Sequence, residues 1–287
     1  MDPVIFSVGK ISIRWYSLFI FLGILVAYFL IGKESKRKDL DKEFVFNLCF
    51  WVILFGILGA RLYYVIFSFS EYKDNLMDIF KLWQGGLAIH GGIIAGLITL
   101  IVYCKKYNVK KEVMTDIAVP GIIIAQAIGR WGNFFNGEAF GKATTDTFLK
   151  SLKIIPNFIT ENMFLYDQAD GLWSYRHPCF YYESLWCILG FIILLLIRKY
   201  YKKREDGFLT GFYMFWYGLG RFFIEFLRTD ALPLFGTSIK VAQVVSLLLF
   251  VSGLVVMIYL IIKQKKNVEE KSKDEKVKKV KKVKKNK

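Results

Sequence analysis

The sequence has few residues of the kinds that build metal centres and disulfide frameworks. It contains two histidines, which lie far apart at His90 and His177, and four cysteines, no two of which form a CxxC pair. Zinc sites need several Cys or His ligands at short, regular spacing, and disulfide frameworks are typical of small cysteine-rich secreted chains. The sequence therefore favours neither a metal site nor a disulfide framework.

The sequence also lacks an internal repeat and the alternating apolar pattern of barrel strands. Many transporters are built from two related halves, and membrane β-barrels alternate apolar and polar residues along each strand. The first apolar run has no small-residue cleavage site behind it and is followed by KESKRKDLDK, so we expect a retained helix and not a cleaved signal peptide.

Long apolar runs are what the sequence does have. Its 287 residues are 55% hydrophobic and 17% aromatic. A helix that crosses the roughly 30 Å of membrane hydrocarbon needs about 20 apolar residues. Seven runs of about this length predict membrane spans at about 15–32, 44–67, 87–104, 116–135, 179–197, 207–227 and 241–262. We therefore predict an all-α polytopic membrane protein with seven transmembrane helices.

Lysine and arginine are unevenly distributed between the predicted loops. The formal net charge is +16, and 27 of the 40 Lys and Arg fall in the loops 33–43, 105–115 and 198–206 and the tail 263–287, against nine in the alternate set. By the positive-inside rule the first set is cytoplasmic, so the N-terminus lies outside and the C-terminus inside. Membrane topology accounts for this charge better than nucleic-acid binding does.

Two predicted segments outside the membrane differ in character. Residues from about 136 to 178 contain aromatics and scattered acids, so we predict a small folded cap on the outer (periplasmic or extracellular) side. Residues 263–287 end in KVKKVKKVKKNK, and blocks of like charge are normally disordered. We therefore predict a seven-span bundle over residues 1–262 and a disordered polybasic cytoplasmic tail over 263–287. Attraction of that tail to anionic lipid, or simple solvation, both remain open.

Several predicted spans contain ionisable residues, which are costly in a membrane and by default indicate a functional site. At about 1.5 Å per residue, the helix directions place these residues in the outer third of the membrane. They come from six spans: Tyr16, Arg61, His90, Arg130, Glu183, Arg221 and Glu225. The arrangement predicts a polar cavity at the depth of lipid phosphate groups.

Local spacing supports a cavity for an anion. Tyr217, Arg221 and Glu225 share one helix face at i, i+4 and i+8, and an arginine fork suits phosphate oxygens. Internal salt bridges that only steady the bundle remain an alternative, with Arg221–Glu225 as one candidate pair. A second candidate pair is Arg130–Glu138.

The motif GRWGNFFNGEAFG at 129–141 matches, at every fixed position, the signature G-R-x-G-N-F-x-N-x-E-x-x-G of the bacterial phosphatidylglycerol–prolipoprotein diacylglyceryl transferases. Four other segments resemble motifs of that family: RWYSL at 14–18, HGG at 90–92, HP…YE from His177 to Glu183, and YGxxRFxxExxR from Tyr217 to Arg228. The resemblance runs from about residue 10 to about residue 262.

This resemblance implies an activity and its partners. Members of the family move the diacylglyceryl group of phosphatidylglycerol to the lipobox cysteine thiol of a prolipoprotein, forming a thioether and releasing glycerol-1-phosphate. This is the first step of lipoprotein maturation. The family works in the bacterial plasma (inner) membrane without metal or organic cofactor. The expected partners are phosphatidylglycerol, the prolipoprotein signal peptide and membrane lipids, and not nucleic acid.

We assign roles to the matched residues as a hypothesis. The substrate thiol needs a base, and His90 is the candidate because imidazole titrates near neutral pH; a histidine that bonds between helices is the alternative. Arginines would stabilise the leaving phosphate. Glu183 and Arg61 would hold the substrate-contacting residues in position without touching the substrate themselves. The proposed catalytic residues are His90, Arg130, Arg221 and Tyr217. The proposed substrate-binding residues are Arg130, Asn133, Glu138, Gly141, Tyr16 and Glu225.

Two other classes of protein remain open. A membrane carrier for anions or phosphate would also need arginines within the membrane, but it should show repeats, broken helices and a midplane site. A seven-helix receptor or scaffold would leave the motif at 129–141 without a purpose.

Overall fold

A computed structural model describes residues 2–8, 11–229 and 240–285. Most of the predicted outer loop 228–239, and residues 286 and 287 of the predicted tail, lie outside the described residues. The chain divides into two compact units: Tyr28–Ala118, and Met1–Ala27 together with Val119–Lys287. Each unit has its own hydrophobic core.

Seven long helices correspond to the seven apolar runs. They are α1 (Trp15–Arg37), α2 (Lys42–Phe67), α3 (Ile89–Lys106), α4 (Lys111–Asn136), α7 (Cys179–Tyr200), α8 (Phe208–Glu225) and α9 (Val241–Lys285). Within the described ranges, six of them are long and apolar enough to cross a membrane. Helix α8 is not among the six, because it carries Arg221 and Glu225 among glycines and tyrosines. The prediction of a helical polytopic membrane protein is confirmed with these six candidate spans, and the seventh span stays a prediction.

A short hairpin precedes the first long helix. Strands β1 (Val4–Val8) and β2 (Ile11–Arg14) pair antiparallel, with Phe6 opposite Ile13. Strand β2 runs directly into α1, and the Trp15 amide donates a hydrogen bond to the Pro3 carbonyl over 3.1 Å. The hairpin therefore fixes where α1 begins.

In the unit Tyr28–Ala118, α2 packs closely against α3. A methyl group at Gly59 would lie only 2.8 Å from the Gly91 carbonyl oxygen, so the two backbones meet where neither residue has a side chain. The Ala88 amide also donates to the Ala60 carbonyl over 3.0 Å. Because α2 and α3 are held this way, the His90 end of α3 is fixed relative to α2.

The segment between α2 and α3 is organised by Arg61. Its guanidinium donates to four backbone carbonyls: Asp78 (2.6 Å), Ile79 (2.8 Å), Gly85 (2.6 Å) and Gly86 (3.0 Å). The Tyr72 ring lies 5.1 Å from the same guanidinium. Arg61 is buried, and these contacts satisfy its charge-assisted donors. In the structure, Arg61 therefore holds the 68–88 segment in place.

In the other unit, a pair of stacked indoles joins α7 to α8. The rings of Trp186 and Trp216 lie 4.2 Å apart and within 11° of parallel. Each indole N–H donates to the other residue's carbonyl, Trp186 to Trp216 over 2.9 Å and Trp216 to Trp186 over 3.0 Å. Two half-buried indoles with both N–H groups satisfied make this a stable helix contact.

Residues 143–176 fold into a small segment of sheet and helix between α4 and α7, which we call the cap; its position on the outer side stays a prediction. It contains β3 (Ala143–Thr144), α5 (Asp146–Ser151), α6 (Asn157–Glu161), β4 (Phe164–Asp167) and β5 (Leu172–Arg176). The strands form an antiparallel sheet in the order β3-β5-β4. The buried Arg176 binds Asp170 through two contacts of 2.6 and 2.7 Å and also donates to the Leu172 carbonyl. This ion pair fixes the turn between β4 and β5.

Helix α9 continues beyond the last predicted span and reaches Lys285. The disorder and the cytoplasmic position of the polybasic tail over 263–287 stay predictions. Lysine and glutamate are good helix formers, and the segment continues a helix that is already nucleated, so no new helix start is needed.

Candidate active site

One buried carboxylate, that of Glu183, holds three arginines together. Its Oε2 atom lies 2.5 Å from Nη2 of Arg130, and its Oε1 atom lies 2.5 Å from Nη1 of Arg221 and 3.8 Å from Nη1 of Arg228. Glu183 comes from the first turns of α7, Arg130 from the last turns of α4, and Arg221 from the end of α8. We call Arg130, Glu183, Arg221, Glu225 and Arg228 the arginine cluster.

A second carboxylate supports the cluster from within α8. Glu225 lies one turn beyond Arg221, and its Oε2 atom is 2.8 Å from the other Nη atom of that arginine. The i, i+4 pair predicted from the sequence is therefore formed. Arg221 is bound on both sides, so its guanidinium has little freedom to rotate.

Burial in the cluster follows the sign of charge. The carboxylate side chains are almost fully buried, 4% exposed for Glu183 and 1% for Glu225. The arginine side chains retain more exposure: 19% for Arg130, 15% for Arg221 and 13% for Arg228. Three arginines and two glutamates carry a net charge of +1. The accessible side of the cluster is thus cationic and suits an anion that can accept from guanidinium forks.

Tyr217 lies beside the cluster. The Tyr217 side chain lies close enough to the Arg130 guanidinium to interact with it electrostatically. One turn earlier, the Tyr213 ring stacks on the Tyr217 ring at 5.8 Å, and the Tyr213 hydroxyl accepts a hydrogen bond from the Gln126 side-chain amide over 3.0 Å. These contacts link α4 to α8 on the side of the cluster nearer the centre of both helices.

The interface between α4 and α7 is also fixed at the cluster. The Ser184 hydroxyl, next to Glu183, donates to the Ala127 carbonyl over 3.1 Å. Ala127 lies one turn before Arg130 on α4, so a hydrogen bond and an ion pair join the same two helix faces. The position of Glu183 is set by backbone contacts as well as by its charge.

Tyr16 packs against the signature motif of α4. A methyl group at Gly132 would lie 2.9 Å from Cδ2 and 3.0 Å from Cα of Tyr16. Next to this contact, the rings of Trp15 and Phe135 stack at 4.8 Å. The glycine of the motif therefore leaves room for the start of α1.

Three further residues of the motif have different surroundings. Glu138 is exposed, and its carboxylate lies 3.5 Å from Nδ2 of Asn136. The ion pair between Arg130 and Glu138 that the sequence suggested is not the one formed, because Arg130 pairs with Glu183. The Asn133 carbonyl accepts from the Glu138 amide over 2.9 Å. Gly141 donates its amide to the His177 carbonyl and pairs with Arg228, where a methyl group would lie 2.7 Å from Sγ of Cys179.

The two histidines have unlike environments. His90 is exposed in the first turn of α3, with its ring 6.3 Å from that of Tyr63, and belongs to the unit Tyr28–Ala118. His177 lies before α7, with its Nδ1 atom 3.3 Å from the Tyr182 hydroxyl and its ring against Phe148. Burial lowers the pKa of His177, which favours its neutral form.

Two residues have a more central position in the arginine cluster than the sequence indicates, and a third was not expected there at all. Glu183 and Arg228 were quoted within motifs, but the central position of Glu183 depends on how three helices face each other. Lys240 precedes α9, and its ammonium donates to the carbonyls of Glu225 (2.6 Å) and Arg228 (2.5 Å). It thereby stabilises the C-terminal end of α8, where cations are favoured. A lone lysine next to an apolar run was the signal in the sequence.

No three His, Cys, Asp or Glu side chains come together as a possible metal site in the part of the chain that the structure describes. The arginine cluster and Tyr217 offer fixed positive charge, hydrogen-bond donors and a phenol.

The fold and cluster define a helical membrane protein with a cationic site built into its bundle. Comparison with known proteins makes this more specific: the family model for prolipoprotein diacylglyceryl transferase matches residues 3–259, so the chain belongs to that family. A relative from Staphylococcus haemolyticus (strain JCSC1435) is 46% identical over 93% of this chain and 91% of its own length. Another, from Staphylococcus aureus (strain Newman), is 46% identical over 92% and 90%. Both relatives are named phosphatidylglycerol–prolipoprotein diacylglyceryl transferase.

Proposed function

We propose that this chain transfers the diacylglyceryl group of phosphatidylglycerol to the cysteine thiol of prolipoproteins. The single observation that carries the proposal is the arginine cluster around Glu183, found in a chain of this family. Its net charge of +1 matches the single negative charge of a phosphodiester. Guanidinium forks bind phosphate oxygens through two parallel hydrogen bonds, which also fixes the orientation of the head group.

In this reaction the substrate sulfur attacks the diacylglycerol carbon that carries the phosphate oxygen. A C–S bond forms as the C–O bond breaks, and glycerol-1-phosphate leaves with the oxygen and its electron pair. Arg130 and Arg221 stabilise the charge that grows on that oxygen, and the low dielectric of the site strengthens the effect. Glu183 and Glu225 hold the two guanidiniums in position.

The remaining residues bind the lipid or activate the thiol. His90 accepts the thiol proton, because only the thiolate attacks well. Tyr217, Asn133 and Glu138 bind the head-group hydroxyls. Tyr16 forms a wall of the site next to Arg130, and Gly141 keeps the cap close to the end of α8.

We place the protein in the bacterial plasma membrane with α8 as a seventh span. The cap and the N-terminus lie on the outer side and the basic tail lies in the cytoplasm, as the distribution of Lys and Arg favours. With this orientation, the arginine cluster lies at the outer end of α4 and α8, where phosphate groups of outer-leaflet lipids are found. An anion carrier is less consistent with this one-sided position.

The proposal is tested with the full chain in phosphatidylglycerol liposomes and a synthetic lipobox peptide. Mass spectrometry should show the peptide gaining one diacylglyceryl unit and the solution gaining glycerol-1-phosphate. Replacing phosphatidylglycerol with phosphatidylethanolamine, or the peptide cysteine with serine, should abolish the gain. Uptake of labelled phosphate into the liposomes without any change in peptide mass would instead identify a carrier.

A further inference from the structure

A pocket of about 380 Å³ lies in the unit Tyr28–Ala118, at the opposite end of α3 from His90. Its size falls within the roughly 300–1,000 Å³ that is typical of small-ligand sites. It is lined by the turn between α1 and α2 and by the C-terminal end of α3. None of the proposed catalytic or lipid-binding residues lines it, so it calls for a separate explanation.

Three aromatic residues that line this pocket lie close to one another. The rings of Phe44 and Tyr103 lie 5.4 Å apart, Phe44 and Tyr107 lie 5.6 Å apart, and Tyr103 and Tyr107 lie 4.6 Å apart. The Nζ atom of Lys106 is already 5.5 Å from the centre of the Tyr107 ring. Aromatic faces attract ammonium and guanidinium groups. The aromatic residues that line the pocket therefore suit a cationic ligand.

Three acidic residues also line the pocket: Asp39, Asp41 and Glu43. All three residues are exposed, and no Lys or Arg lines the pocket. The loops around it are basic, with nine Lys and Arg in 33–43 and 105–115. Exposed charges are screened over about 8 Å at physiological salt, so a cation inside the pocket responds mainly to the carboxylates that touch it. Acids beside aromatic rings favour an ammonium or guanidinium ligand.

The length of α3 indicates which kind of cationic group would bind in the pocket. Tyr103 and Tyr107 follow His90 by 13 and 17 positions, which separates the two ends by about 20–25 Å along the helix. A secretory signal peptide has a basic n-region followed by an apolar h-region of about 7–15 residues and then its processing site. An h-region of about 15 residues in helical form spans about 22 Å. These two lengths match.

We propose that this pocket binds a lysine or arginine of the prolipoprotein's n-region while the peptide's cysteine lies at the His90 end of α3. The inference rests on the proposed function and on the orientation proposed above, which puts the pocket in the cytoplasm. The pocket then selects substrates by the distance between the basic residue and the cysteine, as well as by the sequence around the cysteine.

The test uses a variant that removes the three charges and keeps the shape: Asp39→Asn, Asp41→Asn and Glu43→Gln together. Asp39 has a left-handed backbone (φ 53°), which asparagine tolerates well. Asp41 caps α2 by accepting from the Phe44 amide over 3.0 Å, and asparagine is an equally good N-cap. The matched control is Glu112→Gln, which removes an exposed charge from the first turn of α4, outside the pocket.

Transfer by the full chain in phosphatidylglycerol liposomes is measured with two lipobox peptides, one with two n-region lysines and one with glutamines in their place. We expect wild type and Glu112→Gln to prefer the lysine peptide by roughly 5- to 10-fold in kcat/KM. In the triple variant the preference should fall below about two-fold, through KM of the lysine peptide alone. Comparing both peptides in both proteins cancels the attraction of lysine for anionic lipid.

A preference that survives in the triple variant would overturn the proposal. So would an equal loss with both peptides, which would point to another occupant such as the chain's own basic tail. Moving the two lysines four residues further from the cysteine gives an independent check, because it should reduce the preference in wild type only. Transfer to the glutamine peptide reports on the proposed function itself, so the two proposals fail separately.

Discussion

The carboxylate of Glu183 lies 2.5 Å from the guanidinium of Arg130, which joins the first turns of α7 to the last turns of α4. The contact is buried and is shared with Arg221. A buried ion pair contributes little over an apolar pair of the same shape, but removing one partner leaves an uncompensated charge. The first prediction follows from this asymmetry.

Glu183→Gln should destabilise the protein and abolish transfer together. Loss of the shared carboxylate leaves two guanidiniums facing a neutral amide, and we expect the free energy of unfolding to fall by about 3 kcal/mol. Thermal unfolding in detergent measures the loss. Glu138→Gln is the control, since exposed Glu138 should change stability by less than about 0.5 kcal/mol while still reducing transfer. Equal stability of the two variants would contradict the central position of Glu183.

Arg130→Ala should reduce transfer by more than about 100-fold, because it removes a donor to the leaving phosphate. Arg130→Lys should recover little of the activity, since an ammonium cannot make the two-point contact of a guanidinium. Initial rates of peptide modification measure both. Arg37→Ala, which removes an arginine that is 64% exposed, is the control and should retain full activity. Normal turnover by Arg130→Ala would exclude the phosphate role.

His90→Gln should lose more activity at neutral than at alkaline pH. At pH 7 a missing base costs about 100-fold or more, whereas near pH 9.5 the substrate thiol, with a pKa of about 8.5, ionises by itself. The measurement is the pH profile of kcat/KM between pH 6.5 and pH 9.5. His177→Gln is the matched control, and any loss it causes should be the same across this range. A flat loss in His90→Gln would leave it a structural histidine.

The cap should loosen in acid through Asp170. Its hydrogen bonds to the Arg176 guanidinium lower the pKa of Asp170 below the ordinary value. A carboxyl group with a lowered pKa in the folded state stabilises the fold above its unfolded pKa, and the contribution is lost as pH falls below about 4. Protection of the β4 and β5 amides from hydrogen exchange, measured against the intrinsic rate at each pH, should therefore fall in wild type between pH 4 and pH 3.

Asp170→Asn separates this effect from general acid damage. The variant should exchange faster than wild type at neutral pH and show a weaker change on acidification. Asp146→Asn, which removes an exposed acid that pairs with Lys150 at i, i+4, should behave like wild type. If all three proteins respond to acid alike, Asp170 does not control the cap.

The helices and one half of the cluster could be predicted from the sequence because both are local. Apolar runs of membrane length mark the helices, and Arg221 and Glu225 are neighbours on α8 whatever surrounds them. The partner of Arg130 could not be found this way. Glu138 is close along the chain, but the chain turns after Asn136, and the side chain that reaches Arg130 comes from α7.

Arg61 shows a second limit of sequence patterns. A charge within an apolar run indicates function by default, and this one was expected to support the site. In the structure its donors bind the carbonyls of residues 78–86, and backbone acceptors leave no mark in a pattern of side chains. A charged residue in a span can thus serve to organise the loop that follows it.

The stacked indoles of Trp186 and Trp216 determine how the site can move. Sliding α7 along α8 by one turn, about 5.4 Å, would break both reciprocal hydrogen bonds and separate the rings. The two helices that carry Glu183 and Arg221 therefore move together as one rigid body. A phospholipid that reaches the arginines has to pass through another helix boundary, and a crosslink between α7 and α8 should leave turnover intact.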